Sequence, residues 1–207
     1  MALPAIQSPA EEQLRPITFE EYRALPDDGP RFELIYGELF MAAAPKTIHQ
    51  RVAFRLAILL QDHVESNGLG EVFIAPFDVR FSNYSAVQPD IVFVSTANEH
   101  RIGEDYLIGS PDLVVEVLSP SNRAIDLVRK RVLYGDHGVP EYWIVDPIAA
   151  SIRICLLDGE RYAERVFDQD GITSSTFPRL KIDFAALFRV QGRTSGPSGL
   201  NEDGSEK

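Results

Sequence analysis

The sequence predicts an α/β fold of mixed α+β character, a mixed β-sheet flanked by helices with extra β-hairpins, and three observations lead to it. First, apolar residues after Thr47 recur three and four apart, as on a helix with one face against a core. Second, the runs at 88–95, 111–118 and 141–145 are short and rich in Val, Ile and Leu, as buried strands are. Third, the order helix, three or four strands, helix, strand describes one sheet covered by helices.

The elements follow in chain order. The Ala-, Pro- and Glu-rich residues 1–16 and the Ser/Gly-rich tail 191–207 have the composition of disordered ends around a domain at 17–190. Thr18 caps a short helix through Leu25 that Pro26 stops. Arg31–Tyr36 and Glu38–Met41 read as a hairpin around Gly37. Thr47 is placed as N-cap of the long helix, with Gln50 in the capping-box position, and the helix ends at Asn67-Gly68. Strands are expected at 71–74, 77–81, 88–95 and 111–118, and a short helix within 97–108. A helix over 122–135, a strand at 141–145, a hairpin from 151–157 to 161–167 and a helix at 184–188 complete the body.

The single cysteine, Cys155, rules out an internal disulfide framework and any zinc site built on several cysteines, and it suits a reducing compartment. Met1-Ala2-Leu3-Pro4 lacks the basic start of a signal peptide, and no apolar run approaches a membrane span. A cytoplasmic protein without a membrane partner is the expectation. The net charge of −11 opposes a role on nucleic acid, because polyanion binders carry a basic footprint. A local patch outweighs the total, however, and acids that await a cation inflate the count.

Two acids stand among apolar strand residues, Asp90 after Gln88-Pro89 and Glu116 within Leu113–Leu118. An unpaired charge is costly there, and a divalent cation is one partner that would offset it. Asp90 follows a proline and is expected at a strand start facing a cleft; a turn residue is the plainer alternative. Alternation puts Glu116 with Val114 and Leu118 on one face, opposite Val115 and Val117; neutralisation by a core arginine is its alternative. Lys130 shares a helical arc with Leu127 and Tyr134, and could be a surface lysine paired with Asp126. His49 points to the packed side of its helix, as a satisfied core histidine or a proton-transfer group. Glu33 shares a strand face with Ile35 and could be the solvent face of an edge hairpin. Arg123, Arg129, Lys130 and Arg131 form the densest basic stretch, either a phosphate path or a solvated helix face. Phosphate-cradling Gly-rich loops, nucleophile elbows and His-Glu-x-x-His are missing, whereas two acids and a lysine suit metal-dependent phosphodiester cleavage.

The segments Arg31–Glu38, His49-Gln50, Gln88-Pro89-Asp90, Pro111–Ser121, Lys130 with Tyr134, and Gly138–Pro147 occur in one order. Together they resemble the Uma-type restriction endonucleases, a bacterial family of the PD-(D/E)xK nuclease superfamily, over about 17 to 188. The resemblance implies a restriction-endonuclease-like core, a four-stranded mixed sheet with helices on both faces. It implies Mg²⁺ (or Mn²⁺) held by Asp90 and Glu116, with the Val117 carbonyl as a further ligand, and DNA as substrate. It makes Lys130 a migrated catalytic lysine, because Leu118 stands where the superfamily's lysine would, and adds His49 and Glu33 to the site. Double-strand cleavage would imply a homodimer. The alternatives are a catalytically silent relative that binds nucleic acid or protein, and a hydrolase of another phosphorylated substrate.

Overall fold

The computed structural model describes residues 15–26, 28–42, 45–119 and 125–189. Apart from Arg15 and Pro16, the ends expected to be disordered lie outside the described residues, as does the start of the helix expected at 122–135.

Thr18 and Glu21 cap helix α1 (Phe19–Arg23) reciprocally: the Thr18 hydroxyl accepts from the Glu21 N–H, and the Glu21 carboxylate accepts from the Thr18 N–H. This turns Phe19 and Tyr22 into a small apolar cluster with Leu34 and Ala86. Strands β1 (Phe32–Ile35) and β2 (Glu38–Met41) are joined by Tyr36 and Gly37, both at positive φ, the conformation that matches the twist of a two-residue hairpin. A Cβ at Gly37 would meet that of Pro16 at 2.5 Å, so the turn requires glycine.

Two mixed sheets form rather than one. The first has the order β2-β1-β5-β4-β7, with β4 at Asp78–Ser82, β5 at Ser85–Val87 and β7 at Tyr106–Ile108. Only β4 and β7 run parallel in it. The second has the order β11-β10-β9-β8-β6-β3. Its strands are β3 (Gly70–Ile74), β6 (Ile91–Ser95), β8 (Leu113–Val117), β9 (Glu141–Asp146), β10 (Ser151–Asp158) and β11 (Arg161–Phe167), with β8 and β9 parallel.

Helix α2 (Thr47–Asn67) packs Val52, Leu56, Leu60 and Val64 on one face of the second sheet, against Ile91, Phe93, Val115, Val117 and Trp143. Phe184 and Leu187 of α4 (Phe184–Phe188) join the same cluster. The opposite face carries Val114, Leu118, Tyr142 and Ile144 under Leu133 and Tyr134 of α3 (Arg131–Asp136). The two clusters divide the residues of β8 as strict alternation requires.

Four expected elements differ. The run 88–95 is not one strand: the chain leaves β5, passes through Gln88-Pro89-Asp90 and enters β6 in the other sheet. Pro89 has no N–H for a ladder, which makes this the natural place to change sheets. The segment 97–108 is a 3₁₀ helix at Thr96–Arg101 followed by β7. The described part of the 122–135 helix opens as a π-helix, Ile125–Lys130, before α3. Thr47 is already helical, so the N-cap of α2 is the extended Lys46, which makes no side-chain capping bond. Among the described residues no helix is long and apolar enough to cross a membrane.

Candidate active site

Asp90 closes the link between the sheets. Its Oδ2 accepts the Val117 N–H at 2.7 Å and lies 3.1 Å from His49 Nε2. The first bond pins Asp90 to the residue after Glu116, and so holds the two acids side by side across β6 and β8. His49, in the first turn of α2, is buried, and its other ring nitrogen, Nδ1, has no hydrogen-bond partner among the described residues. It is thus only half satisfied as a core histidine. Oδ1 of Asp90 makes no hydrogen bond among the described residues.

Glu116 turns the other way along β8. Its Oε1 accepts Lys130 Nζ at 2.8 Å and Tyr134 Oη at 2.6 Å. The same Nζ lies 2.9 Å from Oε1 of Glu33. Lys130 and Glu116 are each 3% exposed and Glu33 is 6%, so this is a buried acid–lysine–acid cluster. A surface lysine and a solvent-facing Glu33 are therefore both excluded; the side chain of Asp126 lies outside the described residues. Burial and the neighbouring Glu116 carboxylate hold the Tyr134 phenol well above its ordinary pKa, so it stays protonated and donates. Lys130 and Tyr134 are four residues apart and meet on one oxygen, as a shared helical arc requires. Leu118, on the same strand face as Glu116, is packed in the apolar cluster under α3, and the lysine arrives instead from the π-helical turn above it.

One cavity of about 540 Å³ is lined by Glu33, His49, Asp90, Glu116, Val117 and Lys130 together. Every site residue expected from the sequence reaches it. Three further contributors to the site were not expected. Tyr134 was visible on the arc of Lys130, without a role. Gln88 donates its N–H to Glu33 Oε1 at 3.1 Å, and Arg31 stands at the rim. The basic stretch is less available than its composition suggests: Arg131 pairs with Glu164 and bonds the Tyr162 carbonyl, and Arg129 lies over the Phe40 ring at 4.1 Å. Arg123 lies outside the described residues.

Among the described residues no group of three or more His, Cys, Asp or Glu side chains is arranged to hold a metal ion. Asp90, Glu116 and Val117 line the cavity; carboxylate and carbonyl oxygens are hard donors, and Oδ1 of Asp90 makes no hydrogen bond among the described residues. That set fits Mg²⁺, which takes one or two carboxylates and keeps several waters, better than a cation needing a protein cage.

The chain shares its fold with a protein described as a "putative nuclease belonging to DUF820" from Anabaena variabilis. The two agree with a TM-score of 0.70 at 21% identity, over 84% of this chain and 98% of that one. No curated protein matches the sequence. The family model described as "Putative restriction endonuclease" matches residues 19–185, from the first residue of α1 into α4. With that match spanning both sheets and every residue of the cavity named above, the chain belongs to the Uma2 family.

Proposed function

We propose that the protein is a Mg²⁺-dependent endonuclease that hydrolyses phosphodiester bonds in DNA. The observation that carries this reading is the buried Glu33–Lys130–Glu116 cluster opening on the same cavity as Asp90. It returns a lysine to the acid pair although Leu118 occupies the superfamily's position. Asp90 and Glu116, with the Val117 carbonyl, are the residues that would hold the cation, and Mn²⁺ would suit the same oxygens. When bound, the cation supplies charge stabilisation at the phosphoryl group and lowers the pKa of water. Lys130 supplies a fixed ammonium donor toward charge developing on the attacked phosphate. Glu33 and Glu116 hold that ammonium in place, and Tyr134 fixes the Glu116 oxygen that it binds. His49, hydrogen-bonded to Asp90, is positioned to orient water or carry a proton. Cleavage of both strands by one such site per chain calls for a homodimer.

The test is nicking of supercoiled plasmid and cleavage of labelled oligonucleotides in Mg²⁺ or Mn²⁺. Asp90→Ala and Glu116→Ala should abolish both while leaving circular dichroism unchanged; full activity in either variant refutes the proposal. A second reading, a silent relative that binds nucleic acid or protein, draws on the net charge of −11 and on the occupation of Glu116 Oε1 by both Lys130 and Tyr134. Thermal melts separate the two. A cation that binds only the folded state must raise the melting temperature, and for a nuclease site the rise disappears in Asp90→Ala.

A further inference from the structure

A second cavity, of about 470 Å³, adjoins the first and shares Pro30, Arg31 and Gln88 with it. We propose that this second cavity is a nucleoside subsite, which takes the base next to the scissile phosphate and favours bases that carry an exocyclic amino group. The proposal rests on the nuclease reading for the identity of the strand, but its own evidence lies in other residues.

The wall between the cavities is built around Gln88. Its Nε2 donates to Asp78 Oδ1 at 3.1 Å. A carboxylate oxygen can only accept, so this bond fixes which way the amide faces. Gln88 Oε1 is left without a donor among the described residues. Asp78 is buried, and Tyr22 Oη also donates to its Oδ1, at 2.9 Å. Its Oδ2 makes no hydrogen bond among the described residues: Arg23 lies 3.9 Å away, too far for one, and is bonded to Asp105 at 2.9 Å. Two acceptors on residues that line the cavity, Gln88 Oε1 and Asp78 Oδ2, are therefore left without a hydrogen bond among the described residues. Adenine, cytosine and guanine each present an exocyclic amino group with two N–H donors to such acceptors, whereas thymine presents a single N3–H between two carbonyl oxygens that the acceptors repel.

Arg31 supplies the complementary anchor. It is exposed, lines both cavities and has no ion-pair partner among the described residues. A guanidinium at that junction suits a phosphate, which it can grip through two parallel hydrogen bonds. A strand with its scissile phosphate beside Lys130 would thus meet Arg31 next and turn its neighbouring base into the second cavity.

The experiment measures the anisotropy of a labelled single strand in EDTA, where no metal-dependent hydrolysis proceeds, and displaces it with each of the four deoxynucleoside 5′-monophosphates. In the wild type dAMP, dCMP and dGMP should displace the strand at about tenfold lower concentration than dTMP, the worth of a charge-assisted hydrogen bond. Arg31→Ala should weaken all four by about tenfold without changing their order. Gly29 also lines the second cavity, and a Cβ there would meet only the Pro26 carbonyl, at 3.6 Å. Gly29→Trp should therefore fill the cavity and erase the preference over dTMP, with an unchanged melting temperature. Equal displacement by all four nucleotides, nucleotide binding that leaves the strand in place, or wild-type discrimination in Gly29→Trp would each overturn the subsite. If any of these accompanies metal-dependent cleavage that Asp90→Ala abolishes, the subsite falls and the nuclease reading stands. If instead Gly29→Trp erases the discrimination while cleavage ignores Asp90→Ala, the subsite stands and the nuclease reading falls.

Discussion

Replacing Lys130 by Met keeps the length and apolar stem of the side chain and removes only the cation that Glu33 and Glu116 share. Both ion pairs are short, 2.9 and 2.8 Å, and all three side chains are at most 7% exposed, so solvent screening gives little relief. Breaking a buried pair from one side costs about 3–5 kcal/mol. Counting the loss as two hydrogen bonds to charged groups, at about 1.5–3 kcal/mol each, leads to the same range. For a chain of this size that is a fall in melting temperature of about 6–20 °C. The assay is urea unfolding in EDTA, followed by the fluorescence of Trp143, the only tryptophan and fully buried. Glu33→Gln added to Lys130→Met should recover a large part of the loss, since one of the two stranded charges is then gone. A Lys130→Met protein within about 0.5 kcal/mol of wild type, as for an ordinary surface change, would refute the picture of a buried ionic cluster.

The remaining expectations concern other polar groups. Tyr134→Phe removes one donor to Glu116 and should cost about 1–3 kcal/mol of stability while lowering kcat more than substrate affinity, as steady-state kinetics would record. Glu141 is fully buried and accepts Trp143 Nε1 and the N–H groups of Ser175 and Thr176. Glu141→Ala should cost about 3–5 kcal/mol and change the Trp143 emission, both read in the same urea titration. Burial holds the His137 imidazole below its ordinary pKa of 6.5, partly offset by Asp136. The unfolded chain therefore binds the proton first, so stability declines as the pH falls below 6.5 and through the lower folded value. In His137→Gln that part of the slope should be missing from melts taken across the same window.

Local chemistry made much of the chain legible. The Thr18–Glu21 box, the Tyr36-Gly37 turn, the stripe of α2 and the alternation in β8 are each decided by neighbours a few residues away. What could not be read depends on distant parts. Glu33 resembles the wet face of a hairpin until Lys130 arrives from a segment nearly a hundred residues later. The run 88–95 has the composition of one strand, and only the pairing of Ala86, just before it, with Leu34 and of Ile91 with Val115 reveals that its first three residues link two sheets. Residue types and spacing pointed to Lys130 and Tyr134, yet the π-turn that carries the lysine has no sequence mark comparable to a proline or a cap. The availability of Arg131 was equally hidden, because Glu164 lies on a hairpin at the far edge of the second sheet.

The alternation of strands between the sheets has a further consequence for how the molecule holds together. Strands β1 and β2 enter the first sheet, β3 the second, β4 and β5 the first, β6 the second and β7 the first, before β8 and its successors complete the second. Neither sheet is a contiguous length of chain, so no single cut could free one as a self-sufficient piece. The chain between Asp78 and Val87 is at once two strands of one sheet and the tether between β3 and β6 of the other. Damage to the hairpin half is thereby transmitted to the strand that follows Asp90, and the two halves must gain or lose their order together.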